Sequence, residues 1–174
     1  MRYVEVHGFK NGKPLPKWER IPETDIGRWI DEHEGLDRYL NTIQKFNLDI
    51  KQTQEEHECP FYLDFDSSLP EYSLNDARKF VTHIMELYGI ENIHAWFSGN
   101  KGFHITIDQR IFGAVGDSKL TYHWRYLAEY FAKTLELNTL DKTVYTVPRM
   151  WRIENTINSK SGLYKIPLSL YELS

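Results

Sequence analysis

Cys59 is the only cysteine among 174 residues. A single thiol excludes an internal disulfide and any structural zinc site built on two or more cysteines. Long apolar runs are missing as well. Nothing approaches the roughly 18 consecutive apolar residues of a membrane helix. The N-terminus, MRYVEVHGFKNGK, lacks the apolar stretch of a secretion signal. A cytoplasmic protein with no membrane partner is therefore expected. A basic excess is also absent. The formal net charge of −4 argues against a protein that coats nucleic acid by charge alone. No repeat, low-complexity tract or long linker divides the chain, so one domain spanning residues 1–174 is expected. Its 41 % apolar and 14 % aromatic residues suffice to fill a core.

What is present is unevenly spread. Residues 20–58 hold five Lys/Arg against ten Asp/Glu, whereas residues 141–174 hold five against three. An anionic ligand is therefore expected in the C-terminal part, where the bases cluster in RMWRIENTINSKSGLYK. Along the chain, RYVEVHGF reads as a strand and GKPLP as a loop. PETDIGRWIDEHEG reads as a helix that Gly35 stops, and RYLNTIQKF as a strand. YSLNDARKFVTHIMELYG has helical apolar spacing, a cap-like Ser73 and a terminating Gly89. NIHAWF and FHITID read as two strands joined by SGNKG. DSKLTYHWRYLAEYFAKTLEL reads as a long helix, the basic segment as irregular, and GLYKIPLSL as a last strand. Mixed strands and helices with hairpins indicate an α+β (mixed α/β) domain.

Three segments carry chemistry. FYLDFD, residues 61–66, alternates strictly, so it reads as a half-buried strand with Phe61, Leu63 and Phe65 inward. Tyr62, Asp64 and Asp66 then face outward. Two repelling carboxylates on one face become favourable when a divalent cation lies between them, and oxygen ligands suit Mg²⁺ or Mn²⁺. An exposed strand with two solvated acids, or the D-x-D of a glycosyltransferase, fits this motif alone. In WFSGNKGFHITID, His104 points away from the apolar face. The turn before it offers Ser98, Gly99, Gly102 and closely spaced backbone N–H groups, which can form an anion-binding concavity. An ordinary hairpin with a surface histidine fits it as well. The third segment follows the lone acid Asp141 and carries Arg149, Arg152, Lys160 and Lys165. Guanidinium groups bind phosphate in a bidentate way, ammonium groups as point charges. The three segments together are the parts list of metal-assisted nucleotidyl transfer.

The order of these motifs resembles the catalytic core of the archaeo-eukaryotic primase superfamily, the primase-polymerases. That family carries an hhhDhD strand (h apolar), matched by Phe61 to Asp66. A small-Gly-x-x-Gly-x-His hairpin follows, matched by Ser98, Gly99, Gly102 and His104, and then a single acid on a strand, matched by Asp141. RMWRIENTINSKSGL is similar, without a gap, to the RLIRxPxSLHxKTGL segment of bacterial end-joining polymerases and related plasmid primases. Arg149, Arg152, Lys160, Gly162 and Leu163 fall in the matching places. Glu154 stands where proline is frequent, Thr156 replaces Ser, and Asn158 replaces His. The resemblance spans residues 61–168, and residues 1–60 match only loosely.

The resemblance implies a largely antiparallel, RRM-like sheet flanked by helices (61–174) with a small N-terminal α/β part (1–60). It implies a template-dependent DNA primase or DNA/RNA polymerase. Asp64, Asp66 and Asp141 would hold two Mg²⁺ or Mn²⁺ ions. Ser98, Gly99, Gly102, His104, Arg152, Asn158 and Lys160 would bind the incoming nucleoside triphosphate, and Arg149 could meet template backbone. Expected partners are single-stranded or primed DNA and a helicase, ligase or template-binding domain, fused or separate. The alternatives are a catalytically silent primase-like binding module, and a nuclease or glycosyltransferase.

Overall fold

The computed structural model describes residues 1–89 and 92–173. The N-terminal part supplies β1 (Tyr3–Lys10), β2 (Lys13–Pro14), β3 (Glu19–Pro22), α1 (Ile26–Glu32), β4 (Arg38–Thr42), β5 (Lys45–Phe46) and β6 (His57–Glu58). Then come β7 (Phe61–Phe65), α2 (Pro70–Tyr88), β8 (Ile93–Phe97), β9 (Phe103–Ile107) and α3 (Leu120–Thr134). The C-terminal part adds β10 (Met150–Arg152), β11 (Ile166–Leu168) and α4 (Leu170–Leu173). Two sheets result, with every strand pair antiparallel. One runs β10-β4-β1-β5-β6, with β2 and β3 also on β1; the other runs β11-β8-β9-β7. The expected α+β architecture is observed.

The four-stranded sheet is built on the alternation read in the sequence. Cross-strand rows Phe61/Ile107/Ile93, Leu63/Ile105/Ala95 and Phe65/Phe103/Phe97 share one face. α2 and α3 cover that face with Ala77, Phe80, Val81 and Ile84, and with Trp124, Ala128, Phe131 and Ala132. The opposite face presents the rows Tyr62/Thr106/His94 and Asp64/His104/Trp96. Burying a side chain such as Ile105, which has no exposed surface, stabilises by about 1.5–3 kcal/mol.

Several local expectations change once the sheets meet. Tyr62 does not face solvent. It is fully buried, its hydroxyl donates to the Val144 carbonyl, and the Tyr145 hydroxyl donates to its own carbonyl. A period of two separates faces but does not say whether something covers the second one. RYLNTIQKF is two strands, β4 and β5, interrupted at Ile43–Gln44. RMWR is not irregular: it forms β10 and joins the first sheet beside β4, so the C-terminal segment returns to the N-terminal part. Ser73 is no cap, because α2 starts at Pro70 and the Ser73 hydroxyl donates to the Lys101 carbonyl at 2.7 Å. Asp108 ends the β9 strand and caps a 3₁₀ turn by accepting from the Arg110 N–H.

Candidate functional site

A cleft of about 280 Å³ opens where the two sheets face each other. The four-stranded sheet supplies Asp64 and Asp66 from the β7 end, the turn residues Ser98, Asn100, Lys101 and Gly102, and His104. The other sheet supplies Arg38 and Leu40 from β4 and Met150, Trp151 and Arg152 from β10, with Arg149 just before it. Carboxylates thus come from one sheet and guanidinium groups from the other.

Backbone pairing sets the acids. Phe65 bridges Leu140, the Asp66 N–H donates to the Thr139 carbonyl, and the Asp141 N–H donates to the Asp64 carbonyl. Asp141 therefore stands directly opposite Asp64, where side chains share a face at Cα separations of about 5.5 Å. Asp76 of α2, nearly buried, fixes this segment by accepting from the Thr139 N–H at 2.7 Å and its hydroxyl at 2.9 Å. The Asp141 carboxylate accepts from Thr143 and so starts a 3₁₀ turn, Lys142–Val144. Asp141 is accordingly beside a bridge rather than within a strand.

Charge within the cleft is frustrated. Burial pushes the Asp64 carboxyl up to about 7; Arg149 opposes the rise, while Asp141 and Asp66 add to it. Arg149 lies 3.5 Å from Asp64, and Lys101 lies 3.9 Å from Asp66. His104 is 7 % exposed, and burial together with Lys165, Arg149 and Arg152 holds its ring well below the ordinary imidazole range. The ring is thus neutral, so its 3.6 Å approach to Asp64 is not an ion pair. Trp151 lies against the His104 ring with centroids 4.1 Å apart. Arg152 is lowered to about 10 by burial and by the like charge of Arg38.

Five buried polar side-chain atoms on this cleft lack any hydrogen-bond partner: Arg38 Nε, His104 Nδ1, Arg149 Nε, Trp151 Nε1 and Arg152 Nε. The only two others among the described residues are Glu5 Oε2 and Arg20 Nε, of a single ion-pair network. Four of the five are obligate donors. Orphaned buried donors of this kind match an acceptor-rich anion such as a phosphate.

The predicted glycines act differently from expectation. A Cβ at Gly102 would lie 2.7 Å from the Phe65 carbonyl oxygen, and one at Gly99 would lie 3.0 Å from the Lys165 nitrogen. Both admit the protein's own backbone. Ser98 accepts from the Gly102 N–H and stabilises the turn. Asn158 is buried and lines the cleft, whereas Lys160 stands on an exposed turn outside the lining. One lining residue, Arg38, escaped the sequence reading, and Lys165, named there with the basic segment, lies outside the lining. Arg38 lies in the loosely matching N-terminal part. Lys165 is buried, donates to the Arg152 carbonyl, and sits 5.1 Å from the Trp96 and Trp151 rings; burial lowers it to about 8. Glu154, at the frequent proline position, accepts from the Trp96 indole.

Among the described residues no cluster of three or more His, Cys, Asp or Glu groups is gathered as a ready-made metal site. The all-oxygen character of Asp64, Asp66 and Asp141 nonetheless fits a hard divalent cation that takes its remaining ligands from a substrate phosphate. No helix among the described residues is long and apolar enough to cross a membrane.

No protein-family model matches the chain, and no curated protein matches it by sequence. Solved structures do match. The AEP domain of the primase-polymerase of cyanophage S-2L superposes with a TM-score of 0.55 at 10 % identity, covering 97 % of this chain and 81 % of that one. The polymerase domain of Mycobacterium tuberculosis Ligase D, solved in complex with DNA, superposes with a TM-score of 0.53 at 13 % identity, covering 99 % and 75 %. The chain has the primase-polymerase fold.

Proposed function

We propose that this chain, folded as an archaeo-eukaryotic primase core, is a template-dependent nucleotidyltransferase that adds nucleotides from NTPs or dNTPs. The observation that carries the reading is the set of five unpartnered buried polar atoms around one cleft. Arg38, Arg149 and Arg152 would take the triphosphate oxygens, with His104 and Asn158 contributing from the sides and Lys160 reaching in from the neighbouring turn. The turn residues Ser98, Gly99 and Gly102 keep the His104 strand close against β7. In the transfer a primer 3′-hydroxyl attacks the α-phosphorus and pyrophosphate leaves. The guanidinium groups would balance charge on the departing phosphates. Asp64, Asp66 and Asp141 would hold two Mg²⁺ or Mn²⁺ ions, whose contribution is to lower the pKa of the attacking hydroxyl and offset pyrophosphate charge. A DNA template, and a helicase, ligase or template-binding domain, belong to the same proposal.

The test is extension of a primed template and dinucleotide formation on an unprimed single strand, with Mg²⁺ or Mn²⁺, beside Asp64→Ala. Divalent-cation-dependent product that falls by orders of magnitude in the folded variant is expected. Equal product from the variant would refute the assignment. A second reading, a nucleotide-binding module without turnover, draws on the same unpartnered buried atoms, which would serve binding alone. It predicts triphosphate binding with no product under any condition.

A further inference from the structure

The N-terminal hairpin carries a pattern that the cleft does not use. Residues 9–18 read FKNGKPLPKW, with three lysines, two aromatics and no acid, in a chain of net charge −4. Asn11 (φ 52°) and Gly12 (φ 72°) make the two-residue turn that joins β1 to β2, pairing Lys10 with Lys13 and Phe9 with Pro14. Lys10, Lys13 and Lys17 are all exposed, and none of them forms an ion pair among the described residues. Asp37, which lies against the turn, is engaged in accepting the Gly12 N–H at 2.9 Å.

Aromatic rings connect this arm to the cleft. Trp18 is 49 % exposed, yet its ring rests on the buried His7 ring with centroids 5.1 Å apart. His7 meets Phe9 edge-on at 5.4 Å, and the Arg38 guanidinium lies 4.9 Å from the Phe9 centroid. His7 and Phe9 pair across the sheet with Leu40 and Arg38, and both of these line the cleft. A half-exposed indole backed by a buried ring offers a flat face on which a base can stack, and flanking ammonium groups suit backbone phosphates. Net charge hides this feature, because within residues 20–58 the acids outnumber the bases by ten to five.

We propose that the β1–β2 arm with Trp18 is a binding surface for single-stranded nucleic acid. A base stacks on Trp18, and phosphates meet Lys10, Lys13 and Lys17. The strand runs past Arg38 toward the cleft, a direction that rests on the nucleotidyl-transfer reading. The binding itself does not depend on that reading.

The experiment is fluorescence anisotropy of end-labelled oligo-dT and oligo-U of about 16 nucleotides, within the range of known single-strand site sizes. Nucleoside triphosphate and divalent cation are left out, so failure of nucleotide incorporation leaves this result standing. Wild-type protein is expected to bind either strand, and the tighter of the two identifies the strand it prefers. Trp18→Ala is expected to weaken binding by about fivefold to a hundredfold, the range measured for base-stacking aromatics, and Trp18→Phe to keep most of it. The exposed-surface variant Lys10→Ala/Lys13→Ala/Lys17→Ala, which leaves the aromatic packing intact, is expected to bind less tightly. Its log K against log salt slope should shrink by about 2, since each phosphate contact to a single strand contributes about 0.7. Absence of wild-type binding overturns the proposal. So do variants that bind with unchanged affinity and salt slope, and so does binding that only an acidic polypeptide competes for.

Discussion

Arg38, Arg149 and Arg152 hold Nε–H groups inside the cleft with no acceptor. Each such group costs about 1–3 kcal/mol when buried and unpaired. Sequence identified Arg149 and Arg152 through their spacing in the basic segment. It passed over Arg38, whose neighbours RYLNT read as an ordinary strand and whose facing residues across the cleft, Asp64, Asp66 and His104, lie elsewhere in the sequence. If Arg38 meets phosphate, Arg38→Ala should weaken nucleoside triphosphate binding about tenfold or more, because hydrogen bonds to charged groups contribute about 1.5–3 kcal/mol. Equilibrium titration with a triphosphate checks this, and an unchanged Kd removes Arg38 from the site. His104 was legible as a residue off the apolar face. Its burial was not, since that depends on Trp151 arriving from the other sheet.

At the scale of elements, the hairpin between β8 and β9 is the clearest case of a motif read correctly and explained differently. The residues SGNKG do form the connection, and Ser98 and Gly102 do hold it together. The glycines are required because β7 and the segment around Lys165 press against them. Gly102→Ala should therefore destabilise the fold by about 1–3 kcal/mol, the range for overpacking a well-filled site. A lowered urea midpoint with an unchanged slope would show it. A midpoint equal to wild type would mean that β7 can yield. β10 is the opposite case. Three residues, Met150–Arg152, give no strand signal, and only the edge of β4 makes them one.

Across the whole molecule, a chain of buried polar groups ties the N-terminal sheet to α3. The His57 Nε2 lies 3.0 Å from the Thr121 hydroxyl. Gln44, fully buried, donates to that hydroxyl and accepts from the Arg149 N–H at 2.8 Å. Burial lowers the His57 pKa from its ordinary 6.5. The unfolded chain then binds more protons than the folded one as pH drops below that value, so this contribution is present above pH 6.5 and is lost on acidification. Unfolding curves of wild type and His57→Gln should show wild type losing relative stability between about pH 6.5 and 5. A difference independent of pH across that window would place the titration elsewhere.

Periodicity by itself determined β7, β8, β9, α2 and α3, because alternation and helical spacing are local consequences of side-chain direction. The order of the acids, the histidine and the basic segment likewise placed Asp64, Asp66, His104 and Arg152 on one candidate site before any coordinates. Only the tertiary structure decided that residues 150–152 pair with the N-terminal sheet, that Tyr62 and His104 are enclosed, that Arg38 joins the cleft, and that Lys165 is buried against Trp151. These are outcomes of one sheet covering another. A residue's own neighbours in sequence fix which way its side chain points, whereas what it meets there is fixed by residues far along the chain.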